Sequence, residues 1–222
     1  MKIIAELGTC TNGDLNTALR MVDAAAKAGC DGVKVQAYET RDFLPSNHPD
    51  WEMFENARLS WPEIEMVRMQ AVQNGLLFGG TPTSIAGVEF LAEIGADFLK
   101  NGSDFLLRHD LIQAMLNTGI ETWVALGMAD EEEYLRLLSQ SNVNLMACTS
   151  AYPCPDEEAH LMRLLRSYVR GYSDHTTGTT AAVMAATLGA TMFELHVTLS
   201  AASASLFIEM GGFAVTGPIA ID

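Results

Sequence analysis

Positive charge is scarce in this sequence: 13 Lys and Arg stand against 28 Asp and Glu, a formal charge of −15. A nucleic-acid partner is therefore not expected, because binding a phosphate backbone by counterion release needs a basic face. Any anionic ligand must be held by a small local cluster of donors working against the overall field. No stretch reaches the roughly 18 uninterrupted apolar residues of a spanning helix, so no membrane partner is expected either. The opening MKIIAELG lacks the apolar run of a secretory signal. Four cysteines, at 10, 30, 148 and 154, form no CxxC pair and no disulfide framework, and the expected compartment is a reducing cytoplasm. No GxGxxG turn follows the first apolar run, which disfavours a doubly wound dinucleotide fold. Disorder is excluded by 49% hydrophobic and only 18% charged residues.

What the chain does contain is one theme repeated eight times. Short apolar runs ending in polar residues begin near Ile3, Gly32, Leu76, Phe98, Glu121, Asn144, Val169 and Met192, and amphipathic stretches alternate with them. Asp14 is a helix N-cap candidate, and Gly29, Gly75, Gly95, Gly119 and Gly189 sit where a left-handed C-cap favours glycine. The expectation is a compact α/β single domain over residues 1–222, a (β/α)8 TIM barrel with a degenerate or truncated eighth helix. Two places break the rhythm. Residues 37–60 form a long insertion, and the tail after Leu199 is rich in Ala, Ser and Gly. An apolar seam near Phe207, Ile208 and Phe213 suggests cover by another subunit, as in a homo-oligomer.

Active sites of such barrels lie at the C-terminal mouth, so polar residues ending the strands are the candidates. They are Glu6; Lys34 and Gln36; Thr81; Lys100 with Ser103 and Asp104; Thr149, Ser150 and Tyr152; Ser173, Asp174 and His175; and Glu194 with His196. Only four lysines occur, and two of them fall in this set. Burying them requires counter-charges. Either an anionic ligand supplies these, with Ser and Thr hydroxyls completing its hydrogen bonds, or Lys34 and Lys100 pair internally with Glu6 and Asp104. His175 and His196 end neighbouring strands, where two imidazoles can share a divalent ion; hydrogen-bonded rim residues are the alternative. His48, His109 and His160 read as loop or helix residues. Cys148 reads as buried packing rather than as a nucleophile.

The segments AELGTCTNGD (5–14), DGVKVQAY (31–38), GGTPTS (79–84), LKNGSD (99–104), ALGMA (125–129), CTSAYPCP (148–155), GYSDHTTG (171–178) and FELHVTL (193–199) resemble, in order and spacing, the sialic acid synthase family. That resemblance implies a barrel that condenses phosphoenolpyruvate with an N-acylmannosamine-type aldose, using Mn2+ or Mg2+. It implies phosphoenolpyruvate binding by Lys34, Thr81, Lys100, Ser103 and Ser173, and metal binding by His175 and His196. Glu6, Gln36, Asp104 and Tyr152 would surround the sugar or the reacting centre, with Glu6, Lys100 and His175 taking part in catalysis. Several positions depart from the family. Its NHNG loop reads Cys10-Thr11-Asn12-Gly13, its HCTS reads Ala147-Cys148-Thr149-Ser150, and its STGMA reads Ala125-Leu126-Gly127-Met128-Ala129. The family's C-terminal antifreeze-like domain has no counterpart in these residues, so a separate capping chain is a further expected partner. The alternatives to a synthase are a non-catalytic barrel keeping an anion and metal pocket, or a related lyase or aldolase with another acceptor.

Overall fold

The computed structural model describes residues 1–127, 129–166 and 168–199, and the backbone of 219–220. In chain order the elements are β1 (Lys2–Glu6), α1 (Leu15–Lys27), β2 (Gly32–Ala37), α2 (Trp51–Ala57), α3 (Trp61–Gln73), β3 (Leu77–Pro82), α4 (Ile85–Glu93), β4 (Phe98–Asn101), α5 (His109–Asn117), β5 (Glu121–Ala125), α6 (Glu131–Leu138), β6 (Val143–Ala147), β7 (Val169–Asp174), α7 (Thr180–Thr187), β8 (Met192–Thr198) and the short β9 (Ile219–Ala220). The first eight strands pair in parallel in sequence order, and β8 returns to β1 from Lys2↔Met192 to Glu6↔His196, closing the barrel. Each strand begins within one residue of its expected position.

Local chemistry sets the element boundaries. The Asp14 carboxylate accepts from Thr17 N at 2.8 Å and from Thr17 Oγ1 at 2.6 Å, capping α1. Gly29, Gly75, Gly95, Gly119 and Gly189 all adopt positive φ, between +72° and +94°, at the turns that end helices and lead into strands. At the opposite end of the barrel from the mouth, Asp31 accepts from Ile3 N at 2.7 Å and Asp97 from Phe78 N at 2.8 Å, tying neighbouring strands together.

Two units differ from the simple repeat. The insertion over residues 37–60 is not an open loop: it holds a 3-10 turn at Thr40–Asp42 and the helix α2. Tyr38, Phe43, Phe54 and Phe105 meet edge to face there, with centroids 5.2–6.2 Å apart, so aromatic burial orders the segment. Between β6 and β7 only 3-10 turns occur, Asp156–Glu158 and Leu161–Leu165, where the repeat predicts an α-helix. Pro153, Pro155 and the acidic run at 156–158 leave too short an uninterrupted stretch for one. The expected degenerate eighth helix and the seam at Phe207, Ile208 and Phe213 fall outside the described residues. No helix among the described residues is long and apolar enough to cross a membrane, and all four cysteines are free thiols.

The barrel interior is filled by one layer of large side chains, Ile4, Phe98, Trp123, Met146 and Met192. Glycines face them. A Cβ at Gly32 would meet Ile4, one at Gly79 would meet the Phe98 ring, and one at Gly171 would meet Trp123 and Met146. Large and absent side chains thus interdigitate to seal the lower barrel, and the polar strand ends above it become the floor of the mouth. Helices pack outside in two further cores, one around Val22, Ile64, Phe78 and Leu91 and another around Val124, Leu137, Tyr172 and Phe193. Gly79→Ala should therefore cost about 1–3 kcal/mol by overpacking against Phe98. Urea denaturation would read this as a lower midpoint with an unchanged slope.

Candidate functional site

Alternation along the strands places one polar layer above the plug. Glu6 of β1 lies level with Lys34 of β2, and Glu6 is also level with His196 of β8. Lys34 is 2% exposed and Lys100 5% exposed, so neither ammonium is solvated enough to stand alone. Lys34 forms a short ion pair with Glu6, donates to Thr81 Oγ1 at 2.6 Å, and lies 3.6 Å from Glu194 Oε1. Lys100 lies 3.0 Å from Glu194 Oε2 and 3.5 Å from Ser173 Oγ. Glu194 therefore bridges both lysines, and four charges from β1, β2, β4 and β8 form one buried cluster.

The internal pairing considered from the sequence is present for Lys34 and Glu6, but the partner of Lys100 is Glu194, not Asp104. Asp104 is exposed in the 3-10 turn Ser103–Phe105 and makes no ion pair among the described residues. Burial pushes the Glu6 carboxyl above its ordinary value against the pull of Lys34. Burial acts in the same direction on Glu194, but Lys100 and Lys34 together hold it well below the usual carboxylate range. One carboxylate is thus firmly ionised while the other is poised to take a proton.

The imidazoles form the other half of the mouth. His175 Nδ1 lies 2.6 Å from the Thr149 carbonyl, which can only accept, so Nδ1 carries the proton and Nε2 presents a lone pair. Ser173 Oγ is 3.4 Å from that Nε2. The ring centroids of His175 and His196 are 5.4 Å apart, and Tyr152 stacks on His175 at 3.9 Å while meeting His196 edge-on at 5.9 Å. Burial lowers His175 well below its ordinary value and takes His196 down to about 4, so both rings are neutral at pH 7. His196 Nε2 is buried without a hydrogen-bond partner.

These features fit a divalent cation. Neutral rings with an available nitrogen are its preferred ligands, and an orphaned buried nitrogen is otherwise costly. No cluster of three or more His, Cys, Asp or Glu suited to a metal occurs among the described residues, so water or substrate oxygens would complete the coordination.

The remaining candidates sort by position. Ser103 is buried with an unpartnered Oγ, as is the Ser150 Oγ, and both abut Gly127, where a Cβ has no room. Arg163 holds the loop around Gly127 by donating to the Leu126 carbonyl and, at 3.2 Å, to that of Ala129. Gln36 lies beside Gly8 and Glu6 at the rim. The Cys148 thiol is 3.6 Å from His175 Nδ1, and burial pushes it up to about 12, which agrees with packing rather than nucleophilic use. Asp174 is turned away from the mouth, accepting from Tyr172 OH, Thr176 N and Thr176 Oγ1. His48 and His109 engage Asp50 and Glu133, and His160 is exposed; all three lie apart from the residues of the mouth. The residue under-read from sequence is Glu194. The signal for it was period-two spacing from His196, which puts both on the inner face of β8.

Fold and mouth together define a closed (β/α)8 barrel with a paired-lysine, paired-imidazole site at the strand C-termini. Residues 21–206 match the NeuB family, and the chain belongs to it. It is 33% identical over 208 residues to an uncharacterized protein of Methanocaldococcus jannaschii, covering 89% of this chain and 62% of that one. It is 28% identical over 224 residues to the N,N'-diacetyllegionaminic acid synthase of Campylobacter jejuni, covering 89% and 67%. The chain thus spans roughly two thirds of these relatives. Among solved structures, the N-acetylneuraminic acid synthetase of Leptospira borgpetersenii, in complex with citrate, superposes with a TM-score of 0.88 at 28% identity, covering 98% of this chain and 78% of that one.

Lys34→Met should cost about 3–5 kcal/mol at pH 7, because it strands buried carboxylates. The loss should be smaller at pH 5. A carboxyl with a raised folded-state pKa binds more protons folded than unfolded, so its penalty shrinks as pH falls. Adding Glu6→Gln should restore much of the stability at pH 7, as measured by urea denaturation at both pH values.

Proposed function

We propose that this protein is a sugar-acid synthase that condenses phosphoenolpyruvate with an aldose of the N-acylmannosamine type, releasing phosphate. The observation carrying this reading is the buried Lys34–Glu6–Glu194–Lys100 cluster set beside two neutral imidazoles. Synthases of nine-carbon sugar acids among the relatives support the reaction class.

Phosphoenolpyruvate carries a carboxylate and a phosphate, and Lys34 and Lys100, with Thr81, Ser103 and Ser173, offer the donors to hold them. Mn2+ or Mg2+ held by His175 and His196 would supply Lewis-acid polarisation of the aldehyde oxygen. Tyr152, stacked over His175, would shield that corner from bulk water. The methylene carbon of phosphoenolpyruvate bonds to the aldehyde carbon, and the central carbon becomes cationic. Glu6 faces the same space and would stabilise that carbon and orient water toward it. Water adds there and passes its proton to a base, for which the Glu6 carboxyl is placed. The tetrahedral carbon then expels phosphate with its C–O bond electrons, leaving the keto acid. Gln36 and Asp104 at the rim are assigned to the sugar.

Calorimetric titration of phosphoenolpyruvate with and without Mn2+, followed by phosphate release in the presence of N-acetylmannosamine and related aldoses, tests the proposal. Metal-dependent release supports it. A folded protein that binds the anion but releases no phosphate with any aldose would instead be a non-catalytic barrel. His175→Ala and His196→Ala should each weaken Mn2+ binding beyond the ~10–100-fold typical for loss of an outer partner of a metal site. Unchanged Mn2+ affinity would remove both residues from the ligand set.

A further inference from the structure

Glu194 makes contacts that an anionic ligand would need. Its two oxygens reach 3.6 Å to Lys34 and 3.0 Å to Lys100, so it spans the space between the only two buried ammonium groups among the described residues. The grip is electrostatic rather than geometric, since Glu194 Oε2 accepts no well-aligned hydrogen bond despite its burial. Lys100's other contact, to Ser173 Oγ, is long at 3.5 Å. Glu194 itself is 3% exposed and has no route to solvent that does not cross the mouth. Two residues further along the same face of β8 stands His196, with its unpartnered Nε2.

We propose that Glu194 is a resident counter-ion that fills the anion seat between Lys34 and Lys100 until ligand arrives, and that its displacement toward His196 ties anion binding to cation binding. It is a positioning residue, and the proposal rests on the functional reading above. An entering carboxylate or phosphate brings a third anionic group to two ammonium groups already shared by Glu6 and Glu194. In a buried site that repulsion is poorly screened. Glu194 relieves it by giving its lysine contacts to the ligand and turning its carboxylate to a divalent cation at the imidazole pair. The two binding events then favour each other, by equal factors in both directions.

The test compares wild type with Glu194→Gln by titrating phosphoenolpyruvate with and without Mn2+, and Mn2+ with and without phosphoenolpyruvate. In wild type each ligand should tighten the other about tenfold or more, within the usual range of coupling between sites. In Glu194→Gln, phosphoenolpyruvate should bind more tightly than to wild type in metal-free buffer, and the mutual enhancement should shrink several-fold. Glu6→Gln, which disturbs Lys34 alone, should keep the enhancement. Weaker metal-free binding by Glu194→Gln, or an undiminished enhancement, overturns the proposal.

Inorganic phosphate separates this inference from the choice of substrate. At matched ionic strength Glu194→Gln should melt below wild type in chloride, with the gap narrowing in phosphate. If that narrowing occurs while wild type ignores phosphoenolpyruvate, the substrate assignment fails and the seat stands. If phosphate leaves the gap unchanged, the seat fails. Should Glu194→Gln not accumulate in folded form, Glu194→Asp, one methylene short of both ammonium groups, is expected to shift binding with the same signs.

Discussion

The constraint on which the mouth depends is that two lysines are buried where water cannot solvate them. Lys34 and Lys100 stay charged only because Glu6 and Glu194 stand within ion-pair distance. These partners come from strands that are far apart in sequence and meet only when β8 closes on β1. Barrel closure and charge neutralisation are therefore one event. An open sheet would leave Lys100 without Glu194 and Lys34 with half its counter-charge. A cluster that is neutral when empty also sets the terms of binding, since an anionic ligand has to compete with carboxylates already in place.

The position of that cluster follows from what lies below it. Ile4, Phe98, Trp123, Met146 and Met192 occupy the lower interior because glycines at 32, 79 and 171 make room for them. Close packing there excludes solvent from below, so the polar layer opens only toward the mouth. The loops then shape its walls. Arg163 pins the turn after β5 by its carbonyls, bringing Gly127 against Ser103 and Ser150. The aromatic group of the 37–60 insertion joins Phe43 to Phe105, beside the turn carrying Ser103 and Asp104. The imidazole half is built differently. One ring is fixed by a backbone carbonyl at Thr149, while the other presents a nitrogen that nothing in the protein satisfies.

Much of this was legible in the chain because the forces concerned are local. Apolar runs that end in polar residues mark strands. Glycines at positive φ mark helix ends, and Asp14 followed by Thr17 marks an N-cap. The polar strand ends gave Glu6, Lys34, Thr81, Lys100, Ser173, His175 and His196, which the fold does bring to one mouth. The missing sixth helix was harder to see, since the stretch from 156 to 166 has a plausible length and its failure depends on prolines and an acidic run acting together. Asp104 was misplaced as a counter-ion because proximity in sequence to Lys100 says nothing about direction. The turn at Ser103–Phe105 carries its side chain outward, and Glu194, 94 positions away, takes its place.

The sequence by itself thus determined the repeat, the element boundaries and the residue types available at each strand end, because these follow from side-chain periodicity and backbone preference over a few residues. Tertiary structure alone decided which charges neutralise which, which ring nitrogen is left free, and which serines face the mouth. Those outcomes depend on distances of a few ångströms between strands far apart in the chain, and such distances are fixed only by the stagger with which the barrel closes.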